Sequence, residues 1–244
     1  KIPISLSFLV TDKALTKKTL VFPTRTVITK NDIIARLDYS ANIQQVYTFG
    51  KSIQNRWVAV GNGNNTITYS NNGIDWIGLG KSIFSTTGRG VAWNGSMWVA
   101  VGEGTSHSIA YSYDGIEWEG AQAPNGVDST NIFTKGNGVA WNGSIWVAVG
   151  EGSYSIATSS DGIIWVGVTG STSKIIKGNA VASNGSMWVA LGEMPQNSLM
   201  IYSYDGETWQ NATRTWGGSG GLLEKGYDVA YNGSIWVAVG DSRY

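Results

Sequence analysis

The sequence predicts an all-β fold, a β-propeller of four-stranded antiparallel blades, with five blades expected. Three observations carry this. A phrase, Val91-Ala92-Trp93-Asn94-Gly95-Ser96-Met97-Trp98-Val99-Ala100-Val101-Gly102-Glu103, returns at 139–151, 181–193 and 229–241, with a worn first copy at 56–62. The Trp that opens Trp-Val-Ala falls at 57, 98, 146, 188 and 236, and spacings of about 40–50 residues mark stacked supersecondary units. Finally, 33 Gly and 12 Trp with only 14% charged residues suit many short strands joined by tight turns, the reverse of a disordered composition.

The third copy shows how one blade is written. Gly138-Val139-Ala140-Trp141 reads as a short strand, and Asn142-Gly143-Ser144 ends it. Asn-Gly is the strongest two-residue hairpin signal, because a type I′ turn needs positive φ at both positions. Ile145-Trp146-Val147-Ala148-Val149 returns as a second strand, apolar on both sides of the pleat, as a sheet sandwiched between two others requires. Gly150-Glu151-Gly152 breaks it; 154–158 makes a third strand, Ser160-Asp161-Gly162 turns the chain, and 163–167 makes a fourth. Four antiparallel strands per unit define a propeller blade. The blades fall at 44–79, 88–121, 136–168 and 178–211, and a fifth begins near 226.

Two regions follow: an arm at 1–43 and the repeats at 44–244. The arm offers strand-like pieces at 2–10, 19–22 and 25–28 and a short helix at 31–37. It is expected to close the fifth blade or to serve as an attachment segment.

Charge narrows the partners. Lys and Arg balance Asp and Glu at 17 each, with an excess of cations in 1–45 and of acids in the remainder. That imbalance is too mild for a nucleic-acid groove, and no basic stretch interleaves with aromatics, so nucleic acid is not an expected partner. No apolar run approaches membrane-spanning length. The absence of Cys removes disulfides and thiolate zinc sites.

The turn before the last strand reads Ser112-Tyr113-Asp114-Gly115-Ile116-Glu117-Trp118 and recurs at 160–165 with Asp161, at 203–209 with Asp205, and at 70–76 with Asn72 in place of Asp. It resembles the Asp-box of bacterial-neuraminidase-repeat propellers, Ser-x-Asp-x-Gly-x-x-Trp, shortened here so that Asp and Gly are adjacent. The resemblance covers 44–244 and implies architecture rather than activity, since Asp-boxes occur in hydrolases, lectins and assembly factors alike. The carboxylates of Asp114, Asp161 and Asp205 are expected to cap the turn while the Trp packs between blades. The repeated phrase also resembles repeats of large DNA viruses of algae and protists and of some bacterial surface proteins, which implies a virion or cell-surface location.

Catalytic chemistry finds little support. A sialidase needs three arginines around its substrate carboxylate, yet the six present (Arg25, Arg36, Arg56, Arg89, Arg214 and Arg243) recur at no shared blade position. Hydrolysis by two carboxylates remains the least favoured alternative. His107 is the only His and reads as a solvated loop residue, so neither a metal centre nor a nucleophilic triad is expected. Gly217-Gly218-Ser219-Gly220-Gly221 lacks the Lys-Ser/Thr of a phosphate loop. No cofactor is expected.

One periodic polar signal stands out. An acid ends the second strand in four copies, Glu103, Glu151, Glu193 and Asp241, with Asn62 in the first. Lys135, Lys177 and Lys225 open the first strand, with Thr87 at the equivalent place. These residues share one face with the links at 119–134 and 210–224. They read either as pairs that tie blades together or as repeated ligand pockets in which weak sites gain by avidity. Trp216, outside the repeat, is either an exposed platform or an anchor for its loop. Asn-x-Ser/Thr occurs at Asn64, Asn94, Asn142, Asn184, Asn211 and Asn232, four of them within the hairpin turn itself. The expectation is a non-enzymatic interaction or structural module with a protein partner. A lectin whose ligand is a glycan is the alternative.

Overall fold

A computed structural model describes residues 4–8, 18–22, 56–195, 200–212 and 225–241. The chain divides into two compact units, Lys1–Gln54 and Asn55–Tyr244. In the first, β1 (Ile4–Phe8) and β2 (Lys18–Phe22) form an antiparallel pair with Ile4 opposite Phe22. The strand expected at 25–28 and the helix expected at 31–37 lie outside the described residues.

The second unit is a succession of antiparallel sheets. The first sheet holds β3 (Trp57–Val60), β4 (Ile67–Ser70) and β5 (Ile77–Gly78). The second holds β6 (Thr87–Trp93), β7 (Trp98–Glu103), β8 (Ile109–Ser112) and β9 (Glu119–Gly120). A two-stranded link follows, β10 (Gln122–Ala123) with β11 (Val127–Asp128). The third sheet holds β12 (Lys135–Trp141), β13 (Trp146–Glu151), β14 (Ile156–Ser159) and β15 (Val166–Gly167). The fourth set is β16 (Lys177–Ser183), β17 (Trp188–Glu193), β18 (Ile201–Ser203) and β19 (Gln210–Asn211). A fifth pair, β20 (Lys225–Tyr231) with β21 (Trp236–Asp241), joins the fourth set through the single pairing of Glu193 with Lys225. Strands follow chain order within each set, and β6, β12, β16 and β20 lie side by side.

The core sits between successive sheets, and the second strand of each sheet explains why. Its residues alternate across the pleat, so both sides of a sandwiched strand must be apolar. In β13, Trp146 and Ala148 enter a cluster with Val99 and Val101 of the second sheet. Val147 and Val149 enter the next cluster, with Val181, Trp188 and Ala190 of the fourth set. Val189 and Leu191 in turn meet Val229 of the fifth pair. Each boundary therefore sets an aliphatic face against a face of Ala and Trp. Phe84, Phe133 and Ile175, on the links between sheets, are fully buried within these clusters.

Three details depart from the expected blade. The hairpin after the first strand is not a two-residue turn: Trp141 pairs directly with Trp146, leaving four residues in the loop. The Asn142 side-chain oxygen accepts both the Ser144 and Ile145 amides at 2.9 Å, which the loop would otherwise leave open. Gly143 supplies a positive φ, at 104°. The last strand is shorter than expected, beginning at Val166, because Asp161 holds the Ile163 and Ile164 amides in the turn at 2.8 and 2.9 Å. The serine of that turn is Ser159, whose buried hydroxyl donates to Asp161 and accepts the Gly162 amide at 2.8 Å. It thereby takes the place expected for Ser160.

Candidate functional site

The acid and lysine positions meet where the first and second strands of each sheet meet. The antiparallel register sets Lys135 opposite Glu151, Lys177 opposite Glu193, Lys225 opposite Asp241 and Thr87 opposite Glu103. Glu151 accepts from two cations. Lys135 Nζ of its own sheet stands 3.1 Å away, and Lys177 Nζ of the following set stands 3.4 Å away. Lys225 likewise reaches back 3.1 Å to Glu193 of the preceding set. Glu103 is held at 3.2 Å by Arg89, and Asp241 accepts a short hydrogen bond from the Tyr227 hydroxyl. The register thus brings all seven acid and lysine candidates into this row. Trp216 lies outside the described residues, as does most of the link at 210–224.

These contacts shift three groups of the row, Glu151, Lys225 and Tyr227. Burial pushes the Glu151 carboxyl up, but the hydrogen bond from Lys135 and the positive charges of Lys177 and Lys135 outweigh it and hold the group below its ordinary value. The hydrogen bond and charge of Glu193 raise Lys225, and the bond to Asp241 raises Tyr227. An ionised acid locked between ammonium groups is a poor proton carrier near neutral pH, because its proton is already lost and its lone pairs are occupied.

A second set of polar residues in this row escaped sequence reasoning. Each first strand carries a bulge after its opening glycine, between Gly88 and Gly90, Gly136 and Gly138, Gly178 and Ala180, and Gly226 and Asp228. The residues left without a register partner are Arg89, Asn137, Asn179 and Tyr227. A bulge re-aims its extra side chain, and here two of them cross to the next sheet. Asn137 Nδ2 donates to the Gly178 carbonyl at 2.8 Å, and Asn179 Nδ2 to the Gly226 carbonyl at 2.7 Å. The signal was the Lys-Gly-Asn triplet, present at 135–137 and 177–179.

The Ser–Asp turns lie elsewhere and bind their own backbone. Asp205 accepts the Glu207 and Thr208 amides at 2.9 and 2.7 Å, and the Thr208 bond leads in lowering its carboxyl strongly. Asn72 accepts the Ile74 and Asp75 amides at 2.9 Å with its neutral amide oxygen. His107 departs from the solvated loop residue expected: it is half-buried, its ring lies against Gly120, and its Nδ1 is buried. Among the described residues, no group of three or more His, Cys, Asp or Glu could hold a metal ion, and no helix is long and apolar enough to cross a membrane.

No family model matches the chain, and no curated protein matches it.

Proposed function

We propose that the chain is a non-enzymatic interaction module whose repeated sheets are the blades of a β-propeller. The observation that supports this reading is the engagement of the acidic row. Glu103, Glu151, Glu193 and Asp241 are each already held by a cation or a phenol of the strand framework. To ligate a substrate these acids would have to leave their present pairs, two of which, Lys177 with Glu151 and Lys225 with Glu193, join one set of strands to the next. A protein partner then meets the links and turns that the sheets display.

Glycan binding is the second reading, and exposed aromatics favour it. Tyr113 and Tyr204 stand out from equivalent turns of the second and fourth sets, each edge-on to its neighbour, Tyr111 at 6.0 Å and Tyr202 at 5.8 Å. Aromatic faces repeated at this spacing could stack on sugar rings.

A glycan array probed with the chain and with a Glu151→Gln, Glu193→Gln double variant separates the two. The interaction-module reading expects no saturable sugar binding by either protein and a lower thermal midpoint for the variant. Saturable binding to a related set of sugars overturns it in favour of a lectin. Loss of that binding in the variant would place the lectin site in the acidic row.

A further inference from the structure

Three sheet boundaries repeat one fitting. The glycine of each Ser-x-Asp-Gly turn is a socket, and two side chains of the preceding sheet fill it. A Cβ placed on Gly115 would stand 3.1 Å from Arg56 Cδ and 2.9 Å from Val58 Cγ2. On Gly206 it would stand 2.9 Å from Ile145 Cδ1 and 3.1 Å from Val147 Cγ2. Met97 and Val99 press on Gly162 in the same way. The knob is thus the residue before Trp-Val-Ala together with the Val of that phrase. Where the fitting is made, Gly115, Gly162 and Gly206 are buried, and so are the turn tryptophans Trp165 and Trp209.

Two knobs meet no such turn among the described residues: Met187 with Val189, where Val189 is buried against Val229 of the fifth pair, and Ile235 with Val237, which is left open, as is one socket. In the fifth pair, Ile235 is 57% exposed and Val237 51%, and Val239 on the same face of β21 is 52% exposed. In the first sheet, Gly73 is exposed, and the atoms closest to it belong to Trp57 of its own sheet, at 3.6 Å and beyond. Its turn tryptophan Trp76 is 45% exposed and Trp57 is 57% exposed. The two open faces therefore do not cover each other. They are the two halves of the boundary that the chain builds three times internally.

We infer that this chain associates head to tail, with Ile235 and Val237 of one copy seated on the Gly73 turn of a second copy. The occupant follows from continuity with the internal boundary. Each socket takes aliphatic carbons of two side chains two residues apart on the strand that carries Trp-Val-Ala, Arg56 Cδ among them, and Ile235 with Val237 is a fully aliphatic pair of this kind. Ile145 and Val147, which flank Trp146 in the same Ile-Trp-Val sequence, fill the Gly206 socket. Both faces are apolar, and exposed apolar patches of this kind mark association sites. The contact is heterologous, so it closes into a ring if the rotation between copies fits and otherwise propagates. The propeller of the proposed function is on this account completed between copies, while the interface itself rests only on the sheet boundaries described above.

Sedimentation velocity over a wide range of concentration tests this. An Ile235→Lys, Val237→Lys variant keeps only the socket, and a Trp76→Lys variant keeps only the knob; all three positions are solvent-exposed, so circular dichroism should report unchanged folding. The unaltered chain is expected to associate as concentration rises. Each variant alone should associate at least about tenfold more weakly, and their equimolar mixture should stop at a dimer. A chain that stays monomeric at every concentration overturns the inference. If both variants then also lower the thermal midpoint, the knob and socket meet within one chain instead. Association undiminished in either variant overturns it as well.

Discussion

Asn137 donates its side-chain amide to the Gly178 carbonyl, 2.8 Å away on the next set of strands. The bulge between Gly136 and Gly138 frees Asn137 from its own ladder and aims it across the boundary. The bond is half-buried, so truncation leaves a carbonyl short of a partner. Asn137→Ala is expected to lower stability by about 1 kcal/mol. Asn137→Asp should cost more, because it sets a carboxylate against that carbonyl. Denaturant midpoints with unchanged slope check both. If Asp is tolerated better than Ala, the bond carries no weight.

The turn around Asp161 needs an acceptor rather than a charge. Its carboxylate takes the Ile163 and Ile164 amides, and Asn72 makes the equivalent bonds with a neutral oxygen. Asp161→Asn should therefore keep most of the stability, while Asp161→Ala loses about 1–2 kcal/mol, as for other lost caps. Thermal unfolding of the two variants side by side distinguishes an acceptor from a charge.

Glu151 gives the acidic row a pH dependence whose sign can be worked out. Its folded value lies below the ordinary one because Lys135 and Lys177 outweigh burial. The unfolded chain, with an ordinary value of about 4.3, then binds the proton more readily. The stabilisation is present above that value and is lost as pH falls through the folded one. Glu151→Gln should cost about 1 kcal/mol or less at pH 7, since the pairs are partly solvated, and almost nothing at an acid pH well below the folded value. Denaturation curves at both pH values should converge at the acid end; a constant difference would assign the effect to packing.

Tyr111 provides an alkaline counterpart. Its hydroxyl donates to Glu119 at 2.6 Å, and that bond, with burial and the Glu119 charge adding to it, pushes the phenol up to about 12. An unfolded tyrosine titrates near about 10. The bond therefore stabilises fully below that value and is lost as pH rises towards the folded one. Tyr111→Phe should remove an ultraviolet phenolate step near pH 12. If the step that disappears lies near 10, the bond is absent in solution.

Much of the sheet architecture was legible because the repeat copies its own instructions. Asn142-Gly143 marked a hairpin, Ser-x-Asp-Gly marked a turn, and the Trp-Val-Ala run announced a strand buried on both sides. The row joining Glu151 to Lys135 was legible too, since both residues recur in phase. What stayed hidden was everything that depends on a neighbouring sheet. The bulge residue at Asn137 looks in sequence like an ordinary strand position, and although Lys-Gly-Asn recurs at 177–179, the triplet does not show that its side chain is aimed at the next sheet. The fit of Ile145 onto Gly206 joins residues of adjacent repeats, so neither repeat alone displays it. The short last strand was missed because Asp161 captures two amides that propensity would give to the ladder.

Gly136 shows how tightly those boundaries are drawn. Its backbone lies against the second sheet, where a Cβ would stand 2.7 Å from Val101 Cβ and 2.9 Å from the Ser108 carbonyl oxygen. Gly226 repeats this against Leu191 Cβ at 2.6 Å. Gly136 is not held at positive φ, so the side chain is excluded by the neighbouring sheet rather than by backbone conformation. Gly136→Ala should therefore destabilise by about 1–3 kcal/mol through overpacking. Val101→Ala alone should cost a similar amount by leaving a cavity. The double variant tests the cause, because removing the Val101 methyls makes part of the room that the new methyl needs. It should be more stable than the sum of the single losses predicts, with a coupling of about 1 kcal/mol. Strict additivity in denaturant unfolding would mean that Val101 Cβ and the Ser108 carbonyl oxygen, both kept in the double variant, set the closest approach of the two sheets.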